Sequence, residues 1–320
     1  MTQTRSYDLH KKMSFGSAYA LISLAGVLFF GLVLSGEVSE YVKEGMRLAI
    51  ECVIPSSFPF MIICDLYLYF GRPENLKALG WIFTNLFGLP ISGLSAFICG
   101  NIGGFPIGAK MVADIYSAGA ISREDAERLL PISSNPSCAF VVGGVGLGIY
   151  KDAHIGIMLL TSLWISTLLC GIVTRNKYNK IHFKDHNYKQ NYNFVNSVKN
   201  TGVSLISIIS FISLFSVING IIKRHVKYAP LSYILSSFLE VTNAVKRFSL
   251  FPEKMHFVAL VLSAFSLGFG GLSVAMQSSV FTSESGLKMN KYYIIKLLEG
   301  ILSSSVFTIL YIIEKRTVAL

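Results

Sequence analysis

The stretch that decides the fold is residues 80–110, GWIFTNLFGLPISGLSAFICGNIGGFPIGAK, in which no residue before Lys110 carries a formal charge. A transmembrane helix needs about 20 apolar residues to cross the hydrocarbon core of a bilayer, and this stretch is long enough to do so. It also contains glycines and prolines, which interrupt helices. The sequence therefore predicts a membrane-embedded segment that is broken near Gly103, Gly104 and Pro106.

Other apolar stretches flank this one. Those without a formal charge are residues 15–34, 129–150, 154–174, 201–222 and 257–283. Three more hold isolated charges: residues 48–70 with Glu51 and Asp65, residues 228–245 with Glu240, and residues 292–313 with Lys296 and Glu299. The chain is 52% hydrophobic and only 14% charged, which is too apolar for a soluble domain. We predict an all-α polytopic membrane protein with eight or nine embedded helical segments, some of them broken or re-entrant.

The net charge of +10 comes from basic residues scattered through short connections. No basic face is formed, so we predict no nucleic-acid partner. By the positive-inside rule, both termini and the basic loop at residues 175–200 should be cytoplasmic. Residues 15–34 are too long for the apolar core of a secretory signal and are predicted to be retained.

The basic loop divides the chain into two halves. The predicted regions are an N-terminal tail with a first transmembrane helix (1–44), a first half with a connecting helix (45–174), the cytoplasmic loop (175–200) and a second half (201–320). Residues 96–104, AFICGNIGG, resemble residues 264–271, AFSLGFGG, with one residue dropped. Internal repeats with matching interrupted segments are typical of secondary transporters, whose site lies between the halves. Inverted and parallel repeats both remain open.

Lys110 is the first candidate for a binding residue. A helix that restarts after Pro106 would direct its N-terminal amides, near Gly108, at a ligand, and Lys110 would add a full positive charge. The pattern therefore predicts an anion site. The alternative is that glycine and proline only permit close helix packing and that Lys110 pairs with Asp114 one turn later.

Glu240 is the second candidate, because a carboxylate at membrane depth is costly unless it is paired or hydrated. We expect it to face the interior within reach of Asn135 or Ser137. The alternative places it near an interface beside Lys246 and Arg247. The full predicted substrate-binding set is Gly103, Gly104, Pro106, Gly108, Lys110, Asn135, Ser137, Glu240, Thr242, Asn243, Gly270, Gly271, Ser273 and Gln277.

Residues 54–60, IPSSFPF, place two prolines four apart and predict a kinked or re-entrant segment. Enzyme motifs such as HExxH, a Walker A loop or Gly-x-Ser-x-Gly are missing, and the five cysteines and six histidines form no ligand pattern. We therefore predict no catalytic residues, no cofactor and no metal site.

With these motifs in order, the chain resembles sporulation integral membrane proteins of the YlbJ type, within the group that carries the nucleoside-recognition Gate domain. The resemblance rests on residues 54–60, 104–110, 122–130 (SREDAERLL), 239–243 (LEVTN) and 270–274 (GGLSV) with Gln277. It implies a multi-pass protein of the cell membrane, or of the membranes surrounding the forespore, that moves a small solute during spore formation. The family suggests dipicolinic acid. Pro55, Ser56 and Ser57 replace the polar Gln-Thr-Glu-like cluster expected of nucleoside carriers, which argues against nucleoside transport.

The sequence thus predicts a transporter of a small anion. The expected partners are that anion and the lipid bilayer, with a homo-oligomer or other sporulation membrane proteins as protein partners. A structural or assembly protein without a substrate is the alternative from another class, and nucleoside transport is a further one.

Overall fold

The computed structural model describes residues 35–70, 77–176 and 194–318, and the regular structure in these ranges is helical. The α-helices are α1 Ser35–Leu48, α2 Ile54–Phe70, α3 Lys77–Phe87, α4 Leu94–Gly103, α5 Ile107–Ser117, α6 Arg123–Ile132, α7 Ala153–Val173, α8 Phe194–His225, α9 Ala229–Leu239, α10 Val241–Phe248, α11 His256–Phe269, α12 Gly271–Ser285 and α13 Asn290–Val318. Two π-helices, Ala49–Val53 and Phe140–Tyr150, and two short 3₁₀ turns, Ile91–Gly93 and Glu253–Met255, complete the described part.

Four helical stretches in the described ranges are long and apolar enough to cross a membrane: Ala153–Val173, Phe194–His225, Glu253–Ser285 and Asn290–Thr317. The pair Ala78–Phe87 and Ile91–Gly103 passes the same criterion but is bent by 103°, so it is a broken span or a re-entrant loop. The structure therefore supports four or five membrane-capable segments, and the predicted eight or nine are not confirmed. The predicted first span, residues 15–34, and most of the basic loop lie outside the described residues.

The surface is apolar where these helices face outward. Trp81, Ile206 and Ile294 are 70%, 64% and 71% exposed. Many serines, by contrast, are buried inside the bundle. An apolar exterior around a partly polar interior suits lipid as the surrounding medium, because hydrocarbon does not disfavour exposed apolar side chains. Together with the helix lengths, this arrangement is that of a multi-pass helical membrane protein.

Two helix interruptions meet in the first half. The break between α4 and α5 contains Gly104, at a φ of +83°, and Pro106. It packs on the non-helical stretch 133–137 that follows α6. The Phe105 amide donates to the Asn135 carbonyl at 2.9 Å, so each break supplies a partner for the other's freed backbone group. The approach is close because a Cβ on Gly108 would lie 1.6 Å from the Ser133 carbonyl oxygen.

Two further interruptions meet in the second half. Helix α9 ends at Glu240, whose side chain caps α10, and α11 ends at Gly270, which has a φ of +79°. Gly271, at a φ of +80°, lies beside the Leu239 carbonyl, 3.0 Å from the position of an added Cβ. Only glycine adopts these two consecutive left-handed conformations without strain. Glycine therefore allows the second pair of breaks to come together.

The proline-rich run at residues 54–60 is an exception to the predicted pattern. It remains helical, because the π-helix Ala49–Val53 leads directly into α2, which continues through Pro59. Pro55 lies in the first turn of α2, where the α-helical pattern restarts. A π-turn shifts the hydrogen-bond register by one residue, and this shift accommodates a proline without breaking the helix. Of the two predicted alternatives, the re-entrant segment is wrong, and the kinked helix stays a prediction.

Arg128, within the SREDAERLL motif, has a structural role. Its buried guanidinium donates to the carbonyls of Phe87 at 2.7 Å, Gly88 at 3.3 Å and Thr174 at 2.8 Å. These carbonyls end α3 and α7, and helix C-termini favour a cation because their last carbonyls have no intrahelical partner. Arg128 therefore fastens three helices together.

A buried polar network joins α13 to the first half. Lys296, 1% exposed, donates to Glu299 at 2.8 Å and to the Asn135 side chain at 2.7 Å. Thr167 donates to the other Glu299 oxygen at 2.6 Å, and Asn135 also donates to Asn101 at 2.9 Å. Both charges are thus paired and further hydrogen-bonded, which is the arrangement a buried ion pair requires. The network is a structural tie between the halves.

We expect Lys296→Met to destabilise the folded protein by about 3–5 kcal/mol, because it leaves the Glu299 carboxylate buried without its cation. The double variant Lys296→Met/Glu299→Leu removes both charges and should recover most of that loss. Chemical unfolding in detergent micelles measures both. Equal stability of the single variant and the wild type would contradict the structural role of the pair.

Gly108→Ala should destabilise the protein by at least about 2 kcal/mol or prevent folding, since the added methyl group meets the Ser133 carbonyl backbone, which cannot rotate away. Gly202→Ala is the matched control, because an added Cβ there meets nothing within 4 Å. The control should be neutral or slightly stabilising, by up to about 1 kcal/mol, owing to the higher helix propensity of alanine. Size-exclusion profiles and unfolding midpoints measure both variants. A Gly108→Ala variant that is as stable as the wild type would contradict the close approach of Gly108 to the Ser133 carbonyl.

Candidate functional site

A narrow cavity, here called the central cavity, lies between the two halves. It has room for about one water molecule. Residues at three of the four interruptions line it, together with Val274 and Gln277 of α12, the helix that begins at the fourth. The lining residues are Val53, Ser57, Phe105, Pro136, Ser137, Phe140, Ile208, Ile212, Glu240, Thr242, Val274 and Gln277. Interrupted backbone and polar side chains from both halves therefore face one space.

Glu240 lies on the wall of the central cavity. Its side chain is almost completely buried, and its oxygens accept hydrogen bonds from the Thr242 amide at 2.9 Å and the Asn243 amide at 2.6 Å. The Asn243 side chain also donates to Glu240 at 2.9 Å and to Ser216 at 2.8 Å. The carboxylate thus occupies the N-terminal amides of α10, as a helix cap does. This end of α10 is consequently unavailable to an anionic ligand.

Gln277, on the interrupted helix α12, lines the same cavity as Glu240. It is 3% exposed, and its Nε2 reaches the Ser273 hydroxyl at 3.5 Å, while its Oε1 has no hydrogen-bond partner among the residues that the structure describes. A buried acceptor without a donor is unfavourable, so its presence on a cavity wall indicates a place where a ligand can complete the contact.

A second cavity, here called the Lys110 cavity, lies on the other side of the α4–α5 break. It has room for a few water molecules. The lining residues are Met61, Pro106, Ile107, Lys110, Met111, Asn200, Thr201, Ser204 and Phe281. Pro106 and Ile107 begin α5, so the cavity combines a helix N-terminus, a lysine and several hydroxyl or amide groups. This chemistry suits an anion.

Lys110 itself is partly accessible. Its side chain is 38% exposed, and its Nζ lies 3.5 Å from the Asp114 carboxylate, whose side chain is 52% exposed. A strong charge-assisted hydrogen bond is shorter, about 2.7–2.9 Å. The predicted alternative, an ion pair with Asp114, is therefore present but loose, and it leaves the ammonium group free to contact a ligand in the cavity.

Each of three helices, α2, α8 and α12, lines both cavities with the same face. Helix α2 contributes Ser57 to the central cavity and Met61, four residues on, to the Lys110 cavity. Helix α12 contributes Val274 and Gln277 to the first and Phe281 to the second. Helix α8 follows the same rule, with Ile208 and Ile212 in one and Thr201 and Ser204 in the other. Residues three or four apart share a helix face, so the cavities lie in line along three helices.

The structure places the predicted site residues in different surroundings. Ser137, Glu240, Thr242 and Gln277 line the central cavity, and Pro106 and Lys110 line the Lys110 cavity. Gly103 ends α4, while Gly104, Gly108, Gly270 and Gly271 allow the breaks to approach each other. The Asn243 side chain donates a hydrogen bond to Glu240, and the Gln277 side chain donates one to the Ser273 hydroxyl.

The position expected for Asn135 needs correction. The Asn135 side chain accepts a hydrogen bond from the Lys296 ammonium group in the buried network and does not line the cavity that contains Glu240. Within the stretch 133–137, Asn135 and Ser137 therefore have different surroundings. Of the two first-half residues expected near Glu240, only Ser137 shares its cavity.

Sequence reasoning overlooked two groups of residues. Lys296 and Glu299 were noted only as isolated charges, although their spacing of three on one helix is a signal for pairing. Asn200, Thr201 and Ser204 at the start of the long helix α8 were also missed, and their polar character within an otherwise apolar helix is the signal that was available. No group of three or more His, Cys, Asp or Glu residues in the described ranges could hold a metal ion.

Comparison with known proteins gives one informative match. The chain is 26% identical over 306 residues to the sporulation integral membrane protein YlbJ of Bacillus subtilis (strain 168), covering 82% of this chain and 74% of that protein. No protein-family model matches the chain, so the Gate-domain assignment is not confirmed. No solved structure matches it significantly. The match to YlbJ confirms the predicted resemblance of this multi-pass membrane protein to the YlbJ type.

Proposed function

We propose that this protein transports a small anionic solute along a path through the Lys110 cavity and the central cavity. The observation that supports this most directly is that one face each of α2, α8 and α12 lines both cavities. A continuous lining across two cavities is what a solute path requires. A protein with a purely structural role has no need for it.

The break between α4 and α5 separates the two cavities. Phe105 faces the central cavity, while Pro106 and Ile107 face the Lys110 cavity. Irregular backbone at membrane depth is tolerated where it lines a cavity or is buried in protein. In transporters, discontinuous helices of this kind form the substrate site. We assign this break as the constriction that a solute passes.

The anion is proposed to bind first at Lys110. The ammonium group is held only loosely by Asp114, and the start of α5 contributes the positive end of its helix dipole. Asn200, Thr201 and Ser204 can supply further hydrogen bonds to carboxylate oxygens. A dicarboxylate brings two negative charges, and such charges need compensation when they leave water.

The two halves are proposed to be structural repeats. The matched stretches 96–104 and 264–271 both end a helix at a left-handed glycine, Gly104 at +83° and Gly270 at +79°. Each break then packs on another interruption in its own half. The count of eight or nine embedded segments belongs to this proposal, since it includes the broken helices and residues 15–34.

A role in sporulation follows by analogy with the relative, which is named as a sporulation integral membrane protein. Family resemblance suggests dipicolinic acid as the solute and a membrane around the developing forespore as the location. We adopt both as parts of the proposal, together with the bilayer and either a second copy of this chain or other sporulation membrane proteins as partners. A structural role without a substrate and the transport of a nucleoside are the competing functions.

Lys110→Met in proteoliposomes tests the proposal. The change keeps most of the apolar stem but removes the charge, so uptake of labelled dipicolinate should fall at least about tenfold, the ratio that corresponds to about 1.4 kcal/mol of binding. Lys110→Arg keeps the charge with a different shape and should be intermediate. Asp114→Asn is the matched control, because it removes the loose partner of Lys110 and should preserve uptake.

Three results would overturn parts of the proposal. Normal dipicolinate uptake by Lys110→Met, at normal membrane levels, would remove Lys110 from the path. Uptake of uridine but not dipicolinate would favour a nucleoside carrier. Absence of uptake of either solute by a folded wild-type protein would favour the structural role.

A further inference from the structure

Glu240 is a buried carboxylate without a cationic side chain to balance it. It forms no ion pair within the described ranges, whereas Glu299, equally buried, pairs with Lys296 at 2.8 Å. Glu240 accepts hydrogen bonds from the backbone amides and the side chains of Thr242 and Asn243. The N-terminus of a helix offsets only about half an elementary charge. The carboxyl group therefore lies on the wall of the central cavity without a cationic side chain in the described ranges to balance the charge that it carries when ionised.

Gln277 is an independent indication that this wall receives a ligand. Its Oε1 is buried and has no donor in the described part of the chain, and Gln277 lines the same cavity as Glu240. The carboxyl group of Glu240 and the amide oxygen of Gln277 are both acceptors. A ligand that satisfies them must be a cation or a hydrogen-bond donor.

The remaining polar lining of the central cavity also consists of oxygens. Ser57, Ser137 and Thr242 contribute hydroxyl groups, and no lysine, arginine or histidine is among the lining residues. The C-terminal end of α9, at Leu239, lies next to Glu240 and adds the negative end of a helix dipole. Carboxylate, amide and hydroxyl oxygens are the ligands of hard cations, and unwound helix ends bind such ions in transporters.

We propose that the central cavity is a Na⁺ site formed by Glu240 and Gln277, with hydroxyl oxygens of Ser57, Ser137 and Thr242 as further ligands. The Lys110 cavity and the central cavity then have opposite chemistry, one for an anion and one for a cation. As far as the proposed function holds, Na⁺ is the ion whose binding is coupled to movement of the anion. Binding of Na⁺ by itself does not depend on that function.

Na⁺ binding can be measured on the purified full-length protein in detergent. The unfolding temperature is followed as NaCl replaces choline chloride at constant ionic strength and pH, and equilibrium binding of ²²Na⁺ is measured in parallel. A ligand that binds only the folded state raises its stability in a saturable manner. We expect a saturable rise with NaCl in the wild type, with ²²Na⁺ binding displaced by unlabelled Na⁺.

Two variants locate the site. Glu240→Gln keeps the shape and the acceptor oxygen but removes the charge, and Gln277→Met removes the free oxygen without touching the cap of α10. Each should weaken Na⁺ binding at least about tenfold. Ser279→Ala is the matched control on α12, because Ser279 bonds only within its own helix, to the Met276 carbonyl, and lies outside the cavity lining. It should bind Na⁺ like the wild type. Gln277→Met keeps the test valid if Glu240→Gln fails to fold.

Absence of a Na⁺-dependent shift in the folded wild type, or an unchanged shift in a folded Gln277→Met, would overturn the proposal. A rise in unfolding temperature on lowering the pH that is independent of Na⁺ and lost in Glu240→Gln would overturn it too, because it would identify a proton as the ligand. Dipicolinate uptake is scored separately. Na⁺ binding without any uptake leaves the cation site standing and rejects the transport function, whereas uptake without Na⁺ binding does the reverse.

Discussion

The structure depends on one constraint: backbone amides and carbonyls that a helix no longer pairs must find partners inside the protein, because hydrocarbon offers none. This chain interrupts its helices four times within the described ranges and meets the constraint by placing the interruptions against each other. The Phe105 amide donates to the Asn135 carbonyl, and the Glu240 carboxylate accepts hydrogen bonds from the first amides of α10. Glycines at these points permit the contact, since any side chain would hold the backbones apart.

The same constraint explains why polar space lies between the halves. Interrupted backbones attract polar side chains, and the remaining volume between them becomes a cavity with polar walls. The Lys110 cavity has a cation and a helix start, while the central cavity has a carboxylate and an unsatisfied amide oxygen. The two differ because Lys110 lines one cavity and Glu240 lines the other.

Two buried carboxylates in the described part of the chain, Glu299 and Glu240, differ in their partners. Lys296 and Glu299 pair with each other and form further hydrogen bonds to Asn135 and Thr167, so they have a structural role. Glu240 has hydrogen bonds but no opposite charge within the described part of the chain. This difference, rather than burial alone, separates a packing element from a candidate ligand site, because a satisfied ion pair has nothing left to offer a ligand.

The sequence by itself determined the membrane class, the YlbJ-type resemblance, the breakers near Gly104 and Gly270 and the candidates Lys110 and Glu240. Hydrophobic length, glycine and proline act locally, so a linear reading detects them. Only the tertiary structure decided that Asn135 hydrogen-bonds to Lys296 while Ser137 lines the central cavity. It also decided that residues 54–60 stay helical. It alone brought Gln277 into the same cavity as Glu240 and aligned α2, α8 and α12 along both cavities. These outcomes depend on which helices pack together, and side-chain partners from distant parts of the chain leave no periodic signal in the sequence.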